Sequence, residues 1–170
     1  QLEYLQAFFH DEASTQYGPL LAVPQTDTVP EPWILCSSGG SAAIAAKMGM
    51  GLAIARFING FAGKEIVDAY RVGFAPSREF SVPRTLLAIS VLCADTREKA
   101  DQLRKLADYT LLQFEKGNFR EMKRYEDIAD YVFTEAEQER IRYNSGRIIS
   151  GTPDLVRRQL LELTGKMGVD

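Results

Sequence analysis

One turn in the chain combines residue types that can do chemistry. Ser37-Ser38-Gly39-Gly40-Ser41 follows the apolar run Trp33-Ile34-Leu35-Cys36 and precedes the Ala-rich stretch Ala42 to Met48. A strand that passes into a helix through such a turn leaves the first helical N–H groups unpaired, and the helix dipole favours an anion there. Gly39 and Gly40 let a ligand approach the backbone, and the hydroxyls of Ser37, Ser38 and Ser41 add donors. Together these make a phosphate cradle that requires no basic residue. The same residues also read as a plain tight turn with Ser41 as the helix N-cap. The turn is neither a P-loop nor a dinucleotide fingerprint, since it lacks Gly-Lys-Ser/Thr and a third glycine at the right spacing.

Arg56 is the second candidate. It follows the apolar run 52–55, near the end of a buried strand, where parallel α/β sheets place their ligands. It could meet a phosphate or a carbonyl there, or pair with a carboxylate, or lean into solvent. Asn59 has the same standing, and Asn59-Gly60 also reads as a simple turn. His10 is the single histidine, which makes a Ser-His-Asp triad improbable. Cys36 and Cys93 lack histidine company, so no metal site is expected. Both sit in apolar runs and read as buried, reduced thiols. Arg120, Lys123 and Arg124 alternate with Glu121, Glu126 and Asp127, as on a solvated mixed-charge face.

The elements that must position these residues follow from periodicity. Residues 1–9 read as the tail of a helix and residues 10–32 as irregular, with Leu20 to Val23 able to extend. Apolar runs at 33–36, 52–58 and 85–93 are near-continuous, which suits parallel strands buried on both faces. Helices are predicted over 42–48, 63–74, from Asp95 to Phe114, and from Thr152 to about Gly165. Asp95 with Glu98, and Thr134 with Glu137, have capping-box spacing. Thr152-Pro153-Asp154 is a helix start. Strands alternating with helices indicate βα units and a parallel sheet, followed by a helical insertion over 94–150. Residues 1–170 read as one domain.

The 170 residues are 45% hydrophobic and 25% charged with a net charge of −3, which excludes a disordered chain and argues against nucleic acid or anionic membrane as partners. Two cysteines exclude a disulfide scaffold and fit a cytoplasmic protein. No apolar run approaches the ~20 residues that span a bilayer, and no signal-peptide pattern precedes the first helix. The chain opens on an amphipathic pattern already under way and stops directly after a helical one. It is therefore expected to be part of a larger domain.

Five stretches, in order, resemble the bacterial luciferase-like monooxygenases. Pro32 to Ala46 resembles that family's Gly-Ser-Ser-x-x-Ser strand-turn-helix, and Gly51 to Ile58 the strand after it. Ala69-Tyr70-Arg71 through Phe74-Ala75-Pro76-Ser77, then Val91 to Thr96 with Glu98 and Ala100, then Gly151-Thr152-Pro153, match later segments. Cys36 departs from the pattern, standing where relatives usually have Gly.

The resemblance implies an α/β fold, part of a (β/α)8 TIM barrel covering about strands five to seven. It implies a flavin-dependent monooxygenase that uses reduced FMN and O2 to oxidise a small organic substrate. Ser37, Ser38, Gly39, Gly40 and Ser41 would be the flavin-phosphate turn, with Ser38 and Ser41 carried over from the family's motif; Arg56, from its place near the end of a strand rather than from the resemblance, is expected as a further cofactor contact. A homodimer supplied with reduced FMN by a flavin reductase is expected. The flavin carries the oxygen chemistry, so no acid–base dyad is required. The open alternatives are a non-catalytic flavin-binding protein or fragment, and a deazaflavin-dependent oxidoreductase of the same barrel family.

Overall fold

In the computed structural model, residues 1–118 and 123–170 are described. Arg120 and Glu121 of the mixed-charge face lie outside them.

Helix α1 (Leu2–Phe9) leads into a small antiparallel pair, β1 (Ser14–Thr15) and β2 (Gly18–Pro19). The extended segment thus forms just before Leu20 to Val23 rather than on it. Strand β3 (Trp33–Cys36), helix α2 (Gly39–Lys47), strand β4 (Gly51–Ala55), helix α3 (Lys64–Gly73) and strand β5 (Thr85–Ala88) form two βα units. Their strands lie parallel in the order β3-β4-β5.

The register sorts the side chains. Cys36, Ile54 and Leu87 stand in one cross-strand row, and Cys36 and Ile54 are buried in one cluster with Ala42, Ala45, Ala46, Val67 and Tyr70 of α2 and α3. Alanines let α2 approach the sheet closely; Ala45 is fully buried. The alternate row, Leu35, Ala53 and Leu86, faces away from that cluster, and its two leucines are exposed.

The run 85–93 does not stay with one partner. Its first half, β5, pairs with β4. Its second half, β6 (Ser90–Cys93), pairs in parallel with β7 (Ile148–Gly151). In a tilted, staggered sheet one strand meets its two neighbours over different stretches, and the register slides past Ile89 in that way. Strand β7 lies where the sequence pattern predicts only the end of a helical insertion. The expected insertion over 94–150 holds α4 (Arg97–Glu115), a 3₁₀ turn (Tyr125–Ile128), α5 (Glu135–Asn144) and a second 3₁₀ turn (Ser145–Arg147), but its last three residues already belong to β7. Helix α6 (Pro153–Met167) closes the chain and ends at Gly168 in the left-handed conformation. The described sheets do not close on one another.

Smaller expectations are corrected too. The N-cap of α4 is Thr96, whose hydroxyl accepts from Lys99 N–H at 3.2 Å, not Asp95. The capping box of Thr134 and Glu137 is present. Strand β4 ends at Ala55, three residues early, because Arg56 and Phe57 N–H both turn onto the Ala88 carbonyl. Cys36 is buried as expected, whereas Cys93 is exposed. Among the described residues no helix is long and apolar enough to cross a membrane.

Candidate functional site

The serine–glycine turn lies at the carboxyl end of β3, between Cys36 and α2. The helix begins earlier than predicted: Ser38 is the N-cap in an extended conformation, and Gly39, Gly40 and Ser41 form its first turn. The Ser38 side chain makes no capping bond, so its hydroxyl is not spent on the helix. Ser38, Gly39 and Gly40 are exposed, while Ser37 and Ser41 are half-buried. Space is open above both glycines, where a Cβ would meet nothing within 4 Å. The turn thus places the first-turn N–H groups of α2 beside open space, with serine hydroxyls in the same segment, a donor set that suits a phosphate.

The neighbouring loop holds this turn in place. Asn59, beyond the carboxyl end of β4, donates from Nδ2 to the Ser37 carbonyl at 2.9 Å and accepts at Oδ1 from Phe61 N–H at 3.1 Å. Asn59-Gly60 is therefore more than a turn. Just below, burial pushes the Cys36 thiol above its usual range, which keeps it protonated and inert.

Arg56 is directed elsewhere. Its Nη1 donates to the Ala62 carbonyl at 2.6 Å and its Nε to the Gly146 carbonyl at 3.1 Å. Burial lowers its pKa, and Glu65 offsets part of that. The guanidinium thus joins the loop after β4 to the 3₁₀ turn before β7. At the same junction Gly60 and Gly146 pack backbone to backbone; a Cβ on Gly60 would lie 2.9 Å from the Gly146 carbonyl carbon. His10 sits at the opposite end of the sheet, where its Nε2 lies 2.6 Å from Glu79 Oε1 and Ser77 Oγ donates to the Gly49 carbonyl just ahead of β4.

An apolar pocket of about 790 Å³ opens on the other side of the β4 loop. Phe57 and Ile58 form one wall, Leu92 of β6 another, and Leu103, Leu106 and Phe114 of α4 a third. Its charged lining residues are Glu115 and Arg147. The apolar stripe of α4 thus partly lines a cavity. Periodicity reports that a face is apolar, not what covers it. Phe57 and Ile58 precede Asn59 directly, so pocket and serine turn share one loop.

These features meet at the carboxyl ends of parallel strands, and comparison with known proteins gives them a context. A profile of the luciferase-like monooxygenases matches residues 2–170. The chain belongs to the luciferase-like monooxygenase family. The uncharacterized proteins YwcH and YceB of Bacillus subtilis (strain 168) are 40% and 35% identical over 167 residues, covering 96% and 97% of this chain and 50% of each relative. The crystal structure of apo-MsnO8 superposes with a TM-score of 0.83 at 26% identity, over 99% of this chain and 50% of that one. Monooxygenase RslO1 from Streptomyces bottropensis shares the fold at 20% identity and a TM-score of 0.55, over 89% of this chain and 43% of that one. The chain spans about half the length of the luciferase-like relatives it matches.

Proposed function

We propose that this chain is part of a flavin-dependent monooxygenase that uses reduced FMN and O2 to oxidise a small organic substrate. It would supply the flavin-phosphate turn and one side of the substrate pocket. The observation that carries the reading is the open donor set at residues 37–41, tied by Asn59 to a loop that also walls an apolar pocket, in a chain of this family. The parallel order β3-β4-β5, with β7 parallel to β6, supports placing the chain in a (β/α)8 barrel, with one strand more than the expected five to seven.

The residues present fit the phosphate end of the cofactor. Ser38 and Ser41 would donate from their hydroxyls, and Gly39, Gly40 and Ser41 from N–H, while the half-buried Ser37 contributes its carbonyl to Asn59. The bound flavin supplies the oxygen chemistry. The chain's own residues bind, orient and exclude water: the first turn of α2 holds the anion, Asn59 holds the turn, and Phe57, Ile58, Leu92 and α4 form an apolar wall. Arg56 acts as a brace for the loop and is left out of the cradle. Delivery of reduced FMN by a flavin reductase belongs to the same proposal.

Titrating FMN against the chain and its Ser38→Ala/Ser41→Ala variant tests this. The double variant should bind FMN about tenfold or more weakly, by loss of two hydrogen bonds to a charged group, with its melting temperature nearly unchanged. Equal FMN affinity would overturn the phosphate assignment. A second reading is flavin binding without turnover. Oxygen uptake above the no-protein rate with reduced FMN and substrate would exclude it.

A further inference from the structure

The pocket beside the β4 loop has one polar end, where Glu115 and Arg147 stand together. Glu115 takes Arg140 in a two-point pairing, Nε to Oε2 at 2.7 Å and Nη2 to Oε1 at 2.9 Å. Asn144 Nδ2 adds a third donor at 3.1 Å. That geometry satisfies the carboxylate, and these donors hold it below the usual carboxylate range, so it is ionised near neutral pH. Arg147 is the remaining charge. Among the described residues it meets Glu115, Nη1 to Oε1 at 3.5 Å, the outer limit of a hydrogen bond. Its side chain is only 18% exposed, and it lines the pocket with Glu115. Glu115 is already committed to Arg140, which does not line the pocket, so Arg147 is the lining charge left without a close counter-ion.

A mostly buried arginine with one long contact keeps several N–H donors to spare, and a guanidinium withdrawn from water favours an anion that supplies matching acceptors. The rest of the lining is almost wholly apolar, from Leu103, Leu106 and Phe114 to Phe57 and Ile58. The volume of about 790 Å³ is in the range that encloses a small organic ligand. We propose that this pocket takes an amphipathic organic anion, its apolar body along α4 and its carboxylate or sulfonate head on Arg147. This rests on the monooxygenase reading, because it names the substrate class for the same site.

Isothermal titration of the full chain with octanoate, 1-octanol and acetate tests the assignment. Octanoate should bind about tenfold or more tightly than 1-octanol, as a charge-assisted hydrogen-bond pair implies, and acetate should bind far more weakly than either. Arg147→Gln should bring octanoate to the affinity of 1-octanol and leave 1-octanol within about twofold of its starting value. Arg147→Lys keeps the charge and should retain most of the preference, which guards against reading a fold defect as a lost contact. Equal affinity for octanoate and 1-octanol, persistence of the preference in Arg147→Gln, or no binding of either would overturn the proposal. FMN titration of the same preparations separates the two readings. Octanoate preference without FMN binding would sink the flavin assignment and leave the anion pocket standing. FMN binding without octanoate preference would do the reverse.

Discussion

Asn59 Nδ2 donates to the Ser37 carbonyl at 2.9 Å across 22 positions of sequence, while its Oδ1 accepts from Phe61 N–H at 3.1 Å. One amide thus ties the turn after β3 to the loop after β4. A cradle of backbone N–H groups works only if the backbone is already in place, because ordering it on binding costs free energy that a preformed turn does not spend.

Asn59→Asp isolates this effect. The carboxylate can still accept from Phe61 N–H but cannot donate to Ser37 O, and it brings a negative charge toward the phosphate. FMN affinity should fall about tenfold or more, with a smaller change in melting temperature than in affinity. Asn59→Ala should lose affinity as well, through the turn alone. Unchanged FMN binding in both variants would show that the turn needs no clamp.

The strands of the two βα units were readable because a buried parallel strand is a short, continuous apolar run; Trp33 to Cys36 and Thr85 to Cys93 both have that form. The partner exchange at Ile89 is not readable, since a single serine, Ser90, inside an apolar run does not by itself end a strand; the stagger of the sheet sets it. Strand β7 was missed for a related reason. Ile148-Ile149-Ser150-Gly151 is four residues long and becomes a strand by pairing with β6, a contact made 58 residues earlier in the chain. At the site, Ser37 to Ser41 stood out by composition, whereas Arg147 and Glu115 did not. Their meaning comes from sharing the end of a pocket that the fold, not their spacing, creates.

Tyr70 is fully buried on the inner face of α3, and its hydroxyl both donates to the Met50 carbonyl at 2.8 Å and accepts from Arg84 N–H at 3.2 Å. Tyr70→Phe keeps the ring and strands both backbone groups. Urea unfolding should show a loss of about 1–3 kcal/mol, the cost of burying unsatisfied polar groups. A loss below about 0.5 kcal/mol would mean that water reaches the start of β4 and takes over both bonds.

Glu137 gives the fold an acid limit. Lys116 Nζ, Thr134 N–H and Tyr131 OH all donate to it and depress its pKa from 4.5 to about 2. A carboxyl whose folded value lies below its unfolded value contributes stability that is present above the unfolded value and lost as pH falls toward the folded one. The urea midpoint should therefore drop between pH 4.5 and pH 2. Glu137→Gln should lower the midpoint at neutral pH and flatten that acid limb. An equal acid-induced drop in both proteins would assign the effect to other carboxylates.

Arg56 separates a brace from a ligand. As a phosphate ligand, it should weaken FMN binding and reduce its salt dependence when replaced. The geometry leads to the opposite expectation, since Nη1 and Nε are spent on the carbonyls of Ala62 and Gly146. Arg56→Met should cost about 1–3 kcal/mol of stability, because two carbonyls lose a charged donor, and leave FMN affinity of the folded protein within about twofold. Arg56→Lys should recover little of the loss, because an ammonium cannot reproduce the fork that serves both carbonyls. Gly146→Ala attacks the same junction from the other side, since its Cβ would fall on the Gly60 carbonyl oxygen. Each change alone loosens the 3₁₀ turn before β7 from the loop after β4. Combined, they should cost less than the sum of the two, because the first to act already releases the contact that the second would break. Strict additivity would show that Arg56 and the glycine pair act on separate parts of the fold. A drop in FMN affinity for Arg56→Met larger than that for Ser38→Ala/Ser41→Ala would return Arg56 to the cradle.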